Sequence, residues 1–300
     1  MQITENEPMC KHTSFKVGGP ARYFAKVENV EDLKAAFALA HEKDLPYFIL
    51  GNGTNLLVSD KGYYGIVITL AGEFSEIQDI GNGALKVGAA TPLGRFARSA
   101  MKQGFAGIHK LAGIPGSLGG AIYMNAGAYG QEIGTCCTAV ATMDDKGNLY
   151  EHPTSECGFG YRQSAFQKLG ETIVSATFQL PTVEGKSVTD LEAELAECMA
   201  KRKATQPLNM PNAGSTFKRL EVGAADSPTQ IAPGYYIEQA GLKGYRIGGA
   251  EVSTVHANFI VNAGDATASN IKQLSEYVQS NVAEKFGIQL HREIILLGDF

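Results

Sequence analysis

The placement of glycine constrains this chain more than any other feature. Thirty-five of the 300 residues are glycine, and they are clustered, well above the usual share of about 7%. One cluster is Gly51-Asn52-Gly53-Thr54-Asn55. The other runs from Gly113 to Gly134 and holds seven glycines among Ile, Pro, Leu, Tyr, Met and Asn. Glycine tolerates positive φ and lets backbone N–H groups come close to a ligand, at a cost in chain entropy on folding. Concentrating that cost in two segments implies that something approaches the backbone there.

Composition removes several function classes. The net charge of −5 argues against a nucleic-acid partner. No apolar run reaches the roughly 18–20 residues of a membrane span, so no membrane insertion is expected. Met1–Lys11 is polar and acidic, without the basic and apolar regions of a signal peptide, and the chain reads as cytoplasmic. Five cysteines (Cys10, Cys136, Cys137, Cys157, Cys198) are an odd number without paired spacing, which fits free thiols in a reducing compartment. Six histidines are scattered with no HxH or HxxxH spacing, so no metal site is expected.

Along the chain, strand and helix patterns alternate. Val30–Lys43 reads as an amphipathic helix capped by Asn29, and Tyr47–Leu50 as a strand leading into the first glycine cluster. Leu56–Val58, Gly65–Leu70 and Leu85–Ala89 are further strands. A helix is expected from Thr91 as cap and Pro92 as first residue to about Gln103, stopped by Gly104. Val140–Asp144 and Glu171–Leu180 read as strands, Thr189–Lys203 as a helix with a basic end. Helices around Gly234–Ala240 and Ala268–Phe286, and strands at Asn258–Val261 and Glu293–Leu297, complete an α+β pattern with mixed sheets. Thr205–Asn212, with two prolines, is the best candidate boundary.

Gly51–Asn55 follows a strand, as a dinucleotide-binding turn should. A Rossmann turn would then need a third glycine and an immediate helix. Leu56–Val58 instead reads as a strand, so that fold is rejected. On spacing alone the loop is either a tight strand-end turn or an anion-binding backbone. The second loop is more specific. Gly113-Ile114-Pro115-Gly116-Ser117 bends twice, Gly119-Gly120-Ala121 is too small to fill a core, and Asn125 to Gly127 closes the segment. Asn125 and Tyr129 offer polar and aromatic contacts suited to a flavin or a sugar nucleotide.

Three later segments carry chemical groups. Arg162 lies in Tyr161-Arg-Gln-Ser-Ala-Phe, and taken alone could be a surface arginine. Ser215 follows Gly214 in Ala213-Gly-Ser-Thr-Phe-Lys, where an ST-turn is the plain alternative. Glu293 stands at the mouth of an apolar strand, where it could be only a solvated end.

Together with Thr13-Ser-Phe-Lys-Val-Gly-Gly-Pro-Ala, Leu50-Gly-Asn-Gly-Thr-Asn-Leu-Leu, Gly113-Ile-Pro-Gly-Ser-Leu-Gly-Gly-Ala, Asn125-Ala-Gly-Ala-Tyr-Gly and Gly241-Leu-Lys-Gly, these segments resemble the UDP-N-acetylenolpyruvoylglucosamine reductases (UDP-N-acetylmuramate dehydrogenases) of peptidoglycan synthesis. The matches fall in order over nearly the whole chain. The resemblance implies a vanillyl-alcohol-oxidase-type FAD-binding domain of two α/β subdomains, over 1–204 and split near 70. A C-terminal α+β substrate domain over 205–300 follows, with the last strand, 293–300, able to return to the FAD domain. It implies FAD held without a covalent bond, NADPH as electron donor and a UDP-sugar substrate, and no obligate protein partner is evident. No His or Cys lies between Leu45 and Gly65, where covalent flavin attachment is expected in other oxidases on this fold.

The resemblance also assigns roles. Gly51 to Asn55, Gly113 to Ser117, Gly119 to Ala121, Asn125 and Gly127 hold the cofactor. Ser215 matches the family's proton donor, Arg162 and Glu293 the residues that stabilise the intermediate, and Tyr129 an aromatic residue near substrate and flavin. Lys218 is a candidate for substrate binding, and in a lidless chain the diphosphate contacts fall to Lys218, Arg219, Lys243 or Arg246, unranked. His12, Leu220 and Arg292 depart from the family's frequent Asn, Pro and Pro, and none is one of the three catalytic positions. No lid segment is inserted between Arg162 and Ser215, which marks the shorter, lidless subtype.

Overall fold

The computed structural model describes residues 1–182, 185–222 and 229–300. Among them are seven helices: α1 (Val30–Glu42), α2 (Leu93–Lys102), α3 (Leu118–Tyr123), α4 (Phe166–Leu169), α5 (Val188–Thr205), α6 (Pro233–Gln239) and α7 (Ala268–Phe286). The chain divides into two compact units. The first comprises Met1–Glu5, Tyr23–Asn52 and Gly65–Lys201, and the second Asn6–Arg22, Gly53–Tyr64 and Arg202–Phe300.

The first unit is built on two sheets. In one, strand Tyr47–Leu50 runs parallel to strand Tyr63–Leu70, with Leu50 opposite Thr69. Helix α1 covers it through Leu33, Ala36, Phe37 and Ala40, spaced at i, i+3, i+4 and i+7 as one helical face requires. That face shares a core with Ala25, Val27, Ile66 and Ile68. Asn29 caps α1 by accepting the Asp32 N–H, as expected from the sequence. Because Tyr47–Leu50 is a parallel strand, the first glycine loop leaves its carboxyl end, where ligands bind in α/β sheets.

The other sheet is antiparallel, in the order Leu149–Pro153, Cys137–Met143, Thr172–Gln179, Ala84–Gly88, Ile77–Gly81. Its register aligns Val140, Ala176 and Val87 across three strands, and all three are buried in one core. Helix α2 inserts Leu93, Phe96 and Ala100 into that core, and Phe96 meets Phe178 with ring centroids 4.8 Å apart. Its Ala97 and Met101 face Leu191 and Leu195 of α5. The expected cap at Thr91 is not made. Pro92 is the N-cap residue, the Thr91 hydroxyl is buried without a partner, and the Thr91 carbonyl accepts from Leu118 N–H at 2.8 Å. The chain at Thr91 is bonded to the start of α3, and its N–H closes a turn onto the Gly88 carbonyl at 3.0 Å.

In the second unit α7 buries Ala268, Ile271, Leu274, Val278 and Val282 against Phe15, Val17, Leu57, Phe217 and Ile294. A three-stranded antiparallel sheet (Arg246–Ile247, Ala250–Val252, Ile260–Asn262) lies in the same unit. Strand Leu56–Val58 pairs in parallel with Ile295–Leu297. A strand therefore follows the first glycine loop directly, not the helix of a Rossmann turn. The final strand begins at Ile295, two residues later than its apolar pattern suggests, because Glu293 N–H is already bonded to the Thr216 carbonyl at 2.8 Å.

The first turn of α7 leaves backbone N–H groups without helical partners. Thr267 caps one, and the Asp60 carboxylate accepts Ala268 N–H at 2.7 Å, Ser269 N–H at 2.8 Å and the Ser269 hydroxyl at 2.6 Å. Partial burial alone would raise the Asp60 pKa, but the hydrogen bonds from Ser269, Ala268 and Thr267 outweigh it and hold the carboxyl below its ordinary value. A carboxyl depressed on folding contributes stability that is present above its ordinary pKa and is lost as pH falls through the folded value. Asp60→Ala should cost about 1 kcal/mol near neutrality, the low figure reflecting solvent exposure. Denaturation series with pH should show the gap between wild type and variant closing in acid; a gap constant down to acid pH would contradict the cap.

Candidate active site

In the first unit the two glycine loops touch. A Cβ on Gly51 would lie 2.5 Å from Ser117 Oγ, well inside contact distance, so only glycine fits without a shift. Asn52 Nδ2 donates to the Pro115 carbonyl at 3.0 Å. The second loop is not irregular throughout: Leu118–Tyr123 is α3, with Ser117 as its cap accepting Gly120 N–H. Its start is moored by Leu118 N–H and Gly119 N–H, each donating at 2.8 Å, to Thr91 and Ala89 carbonyls, and Ala121 N–H returns to Ser117. Two adjacent glycines would disfavour a helix here, and these tertiary bonds override that.

Among the described residues, the N–H groups of Asn52, Gly116 and Ser117 donate to no protein acceptor. Ser117 is nevertheless 4% exposed. Buried backbone donors are almost always paired, and a loop of such donors at a helix start suits phosphate oxygens. The residues thus fit a dinucleotide's pyrophosphate. Gly53, Thr54 and Asn55 belong to the second unit, where Gly53 accepts from Ser14 N–H at 3.1 Å.

Asn125 is 2% exposed, and its side chain is committed within the protein. Its Nδ2 donates to Glu132 Oε2 and the Gly160 carbonyl, both at 3.0 Å, and its Oδ1 accepts Gly134 N–H at 3.1 Å. It ties two turns together. One is the hairpin of Gly127–Ala128 with Gln131–Glu132, closed by Tyr129 and Gly130, both with positive φ as a type I′ turn needs. The other is the turn at Gly160–Gln163, whose ends exchange backbone bonds. Arg162 sits in that turn with φ +51°, and its Nη2 donates to the Gly127 carbonyl at 3.1 Å. Ser164 and Gln167 both donate to the Tyr123 carbonyl at the end of α3, at 2.8 and 2.9 Å. Tyr129 and Arg162, neither of which is Gly or Asn, therefore hold left-handed conformations that cost free energy and tend to gather at functional sites.

In the second unit the segment after Ser215 is held from both sides. Gly214 has φ +77° and its N–H donates to Asn212 Oδ1. Thr216 N–H donates to the Asn258 carbonyl at 2.7 Å, and the Thr216 carbonyl accepts from Glu293 N–H. Lys218 N–H donates to the His291 carbonyl at 2.9 Å. Asn55, from the first glycine loop, donates through Nδ2 to the Glu293 carbonyl at 3.0 Å. Ser215, Lys218 and Glu293 are therefore gathered in one neighbourhood of the second unit, while Arg162 and Tyr129 are gathered in the first. Of the other basic candidates, Lys243 donates to Glu238 at 2.9 Å and Arg246 Nε to Glu251 at 2.6 Å. Asn258 is a residue the sequence reading passed over; a buried asparagine inside the apolar run Ala257–Val261 is the signal that marks it.

The two buried cysteines, Cys137 and Cys157, are not set up as nucleophiles. Burial pushes Cys137 up to about 12 and Cys157 up to about 11, so neither forms a thiolate near neutral pH. No helix among the described residues is long and apolar enough to cross a membrane. None of their His, Cys, Asp and Glu groups could hold a metal ion.

The class of protein follows from the family models. Residues 21–152 match an FAD binding domain, and residues 206–297 match the C-terminal domain of UDP-N-acetylenolpyruvoylglucosamine reductase. The reductase of Lachnoclostridium phytofermentans is 40% identical over 99% of this chain and 94% of its own length. That of Caldanaerobacter subterraneus subsp. tengcongensis is 41% identical over 98% and 93%. The crystal structure of UDP-N-acetylenolpyruvylglucosamine reductase from Thermus caldophilus superposes with a TM-score of 0.80 at 34% identity, covering 99% of this chain and 98% of that one. The chain belongs to the UDP-N-acetylenolpyruvoylglucosamine reductase family.

Gly51→Ala should force its methyl into Ser117 Oγ and separate the loops. The purified variant should carry well under half the wild-type flavin absorbance per protein, and Ser117→Ala in the same chain should restore much of it. Full flavin content in Gly51→Ala would show that the loop contact does not hold the cofactor.

Proposed function

We propose that this chain is an FAD-dependent, NADPH-driven cytoplasmic enzyme that reduces UDP-N-acetylglucosamine enolpyruvate to UDP-N-acetylmuramate for peptidoglycan. The observation that carries the reading is the near-full-length identity of about 40% to reductases of that name. FAD, which the Gly51–Asn55 and Gly113–Gly127 loops would hold, would supply a hydride, drawn from NADPH, for the β-carbon of the enolpyruvyl ether. Reduction at that carbon leaves negative charge on the α-carbon and its carboxylate. Arg162, always charged and braced on the Gly127 carbonyl, stabilises charge that develops only in the transition state.

Ser215 supplies the proton to the α-carbon. A serine hydroxyl is a weak acid, so it depends on a strongly basic carbon partner and on the Lys218 ammonium three residues on. Glu293 beside an enolate is useful only protonated, as a hydrogen-bond donor. Lys218 contacts the substrate diphosphate, while Lys243 and Arg246 already pair with Glu238 and Glu251. Tyr129 borders the substrate.

This division of labour separates two half-reactions. Ser215→Ala should leave flavin reduction by NADPH at the wild-type rate and abolish flavin reoxidation by substrate in stopped-flow. If both half-reactions fell together, Ser215 would not be the proton donor.

A further inference from the structure

The two residues after Ser215 are both held by Asn258, Phe217 by its side chain and Thr216 by its backbone carbonyl. Asn258 is 5% exposed and faces Phe217, which is 1% exposed. Its Oδ1 accepts Phe217 N–H at 3.1 Å and its Nδ2 donates to the Phe217 carbonyl at 2.9 Å. A carboxamide carries the same donor and acceptor as a peptide unit, so Asn258 imitates a neighbouring strand at a point where strand Ile260–Asn262 has not begun. Its own backbone continues the contact: its carbonyl accepts Thr216 N–H, and its N–H donates to His256 Nδ1 at 3.2 Å. Ile260 N–H reaches Thr216 Oγ1 at 3.1 Å. On the other edge Thr216 and Lys218 bond to Glu293 and His291.

The side preceding Ser215 is fixed three residues back, where Asn212 bridges Val261 and the Pro211 carbonyl accepts Asn262 N–H at 2.9 Å, with Gly214 between. Gly214 has an intrinsically permissive backbone, and an Asx-type bond from Gly214 N–H to Asn212 Oδ1 spans that turn. The position of the Ser215 hydroxyl is therefore set mainly by what fixes Thr216 and Phe217. We infer that Asn258 is the positioning residue for Ser215, clasping the Phe217 peptide so that the proton-donating hydroxyl is held where the reaction needs it. The inference rests on the reading of Ser215 as proton donor.

Asn258→Ala leaves both polar groups of a buried peptide unpaired, so the segment must shift or open to water. A shift on the order of 1 Å at a reacting group can cost about a hundredfold in rate. The expected result in stopped-flow is flavin reoxidation by substrate slowed about tenfold to a hundredfold in Asn258→Ala, with substrate affinity and flavin reduction by NADPH changed by less than about threefold. Thr216→Val, which keeps shape and loses only the Ile260 bond, should slow reoxidation in the same direction by a smaller factor. Hydrogen exchange at the Phe217 amide should accelerate in Asn258→Ala, a readout independent of turnover.

The outcomes separate the two ideas. Wild-type reoxidation in both Asn258→Ala and Thr216→Val, with Ser215→Ala slow, overturns the positioning role and leaves the proton donor standing. Wild-type reoxidation in Ser215→Ala removes the proton donor itself, and the inference falls with it.

Discussion

The first unit depends on a contact that a single methyl group would prevent. Gly51 leaves the end of a parallel strand and comes against Ser117, and Asn52 reaches over to Pro115. That approach brings the N–H groups of Asn52, Gly116 and Ser117 into one neighbourhood. The start of α3 is in turn fixed by bonds to Thr91 and Ala89, which follow strand Ala84–Gly88 and lead into α2. The sheet core thus sets where this backbone stands. The end of α3 continues the same logic, since the Tyr123 carbonyl accepts from Ser164 and Gln167 and so fixes the turn that carries Arg162.

The second unit follows a different rule. There, irregular segments are held by side chains that act as backbone. Asn258 substitutes for a strand at Phe217, Asn55 binds the Glu293 carbonyl, and Asp60 closes the first turn of α7. Ser215 and Glu293 both lie just outside the regular strands, with the backbone beside them fixed by these bonds. Preorganisation of this sort limits the rearrangement needed when charge develops.

Local signals made much of this readable from the sequence. Asn29 caps α1, Gly104 and Gly287 adopt the left-handed φ that ends a helix, and the apolar spacing of α1 and α7 predicts their buried faces. What stayed hidden was non-local. A three-residue strand such as Leu56–Val58 carries too little pattern to announce a partner at Ile295–Leu297, more than two hundred residues on. Helix α3 contains two adjacent glycines and forms because its start is bonded to distant carbonyls. Thr91 looked like a cap and is not one, because its backbone is claimed by Leu118. The left-handed φ of Tyr129 and Arg162 has no local sequence signature, and the parts assigned to Arg162, Ser215 and Glu293 came from the family resemblance, not from spacing.

The central claim is that the bound flavin of this chain serves one reaction, reduction of an enolpyruvyl ether. The most direct test is to purify the protein, record its visible spectrum, and follow NADPH absorbance with and without UDP-N-acetylglucosamine enolpyruvate. A flavin spectrum together with NADPH oxidation that depends on that substrate is the predicted result. A colourless protein, or NADPH oxidation indifferent to the substrate, would contradict it.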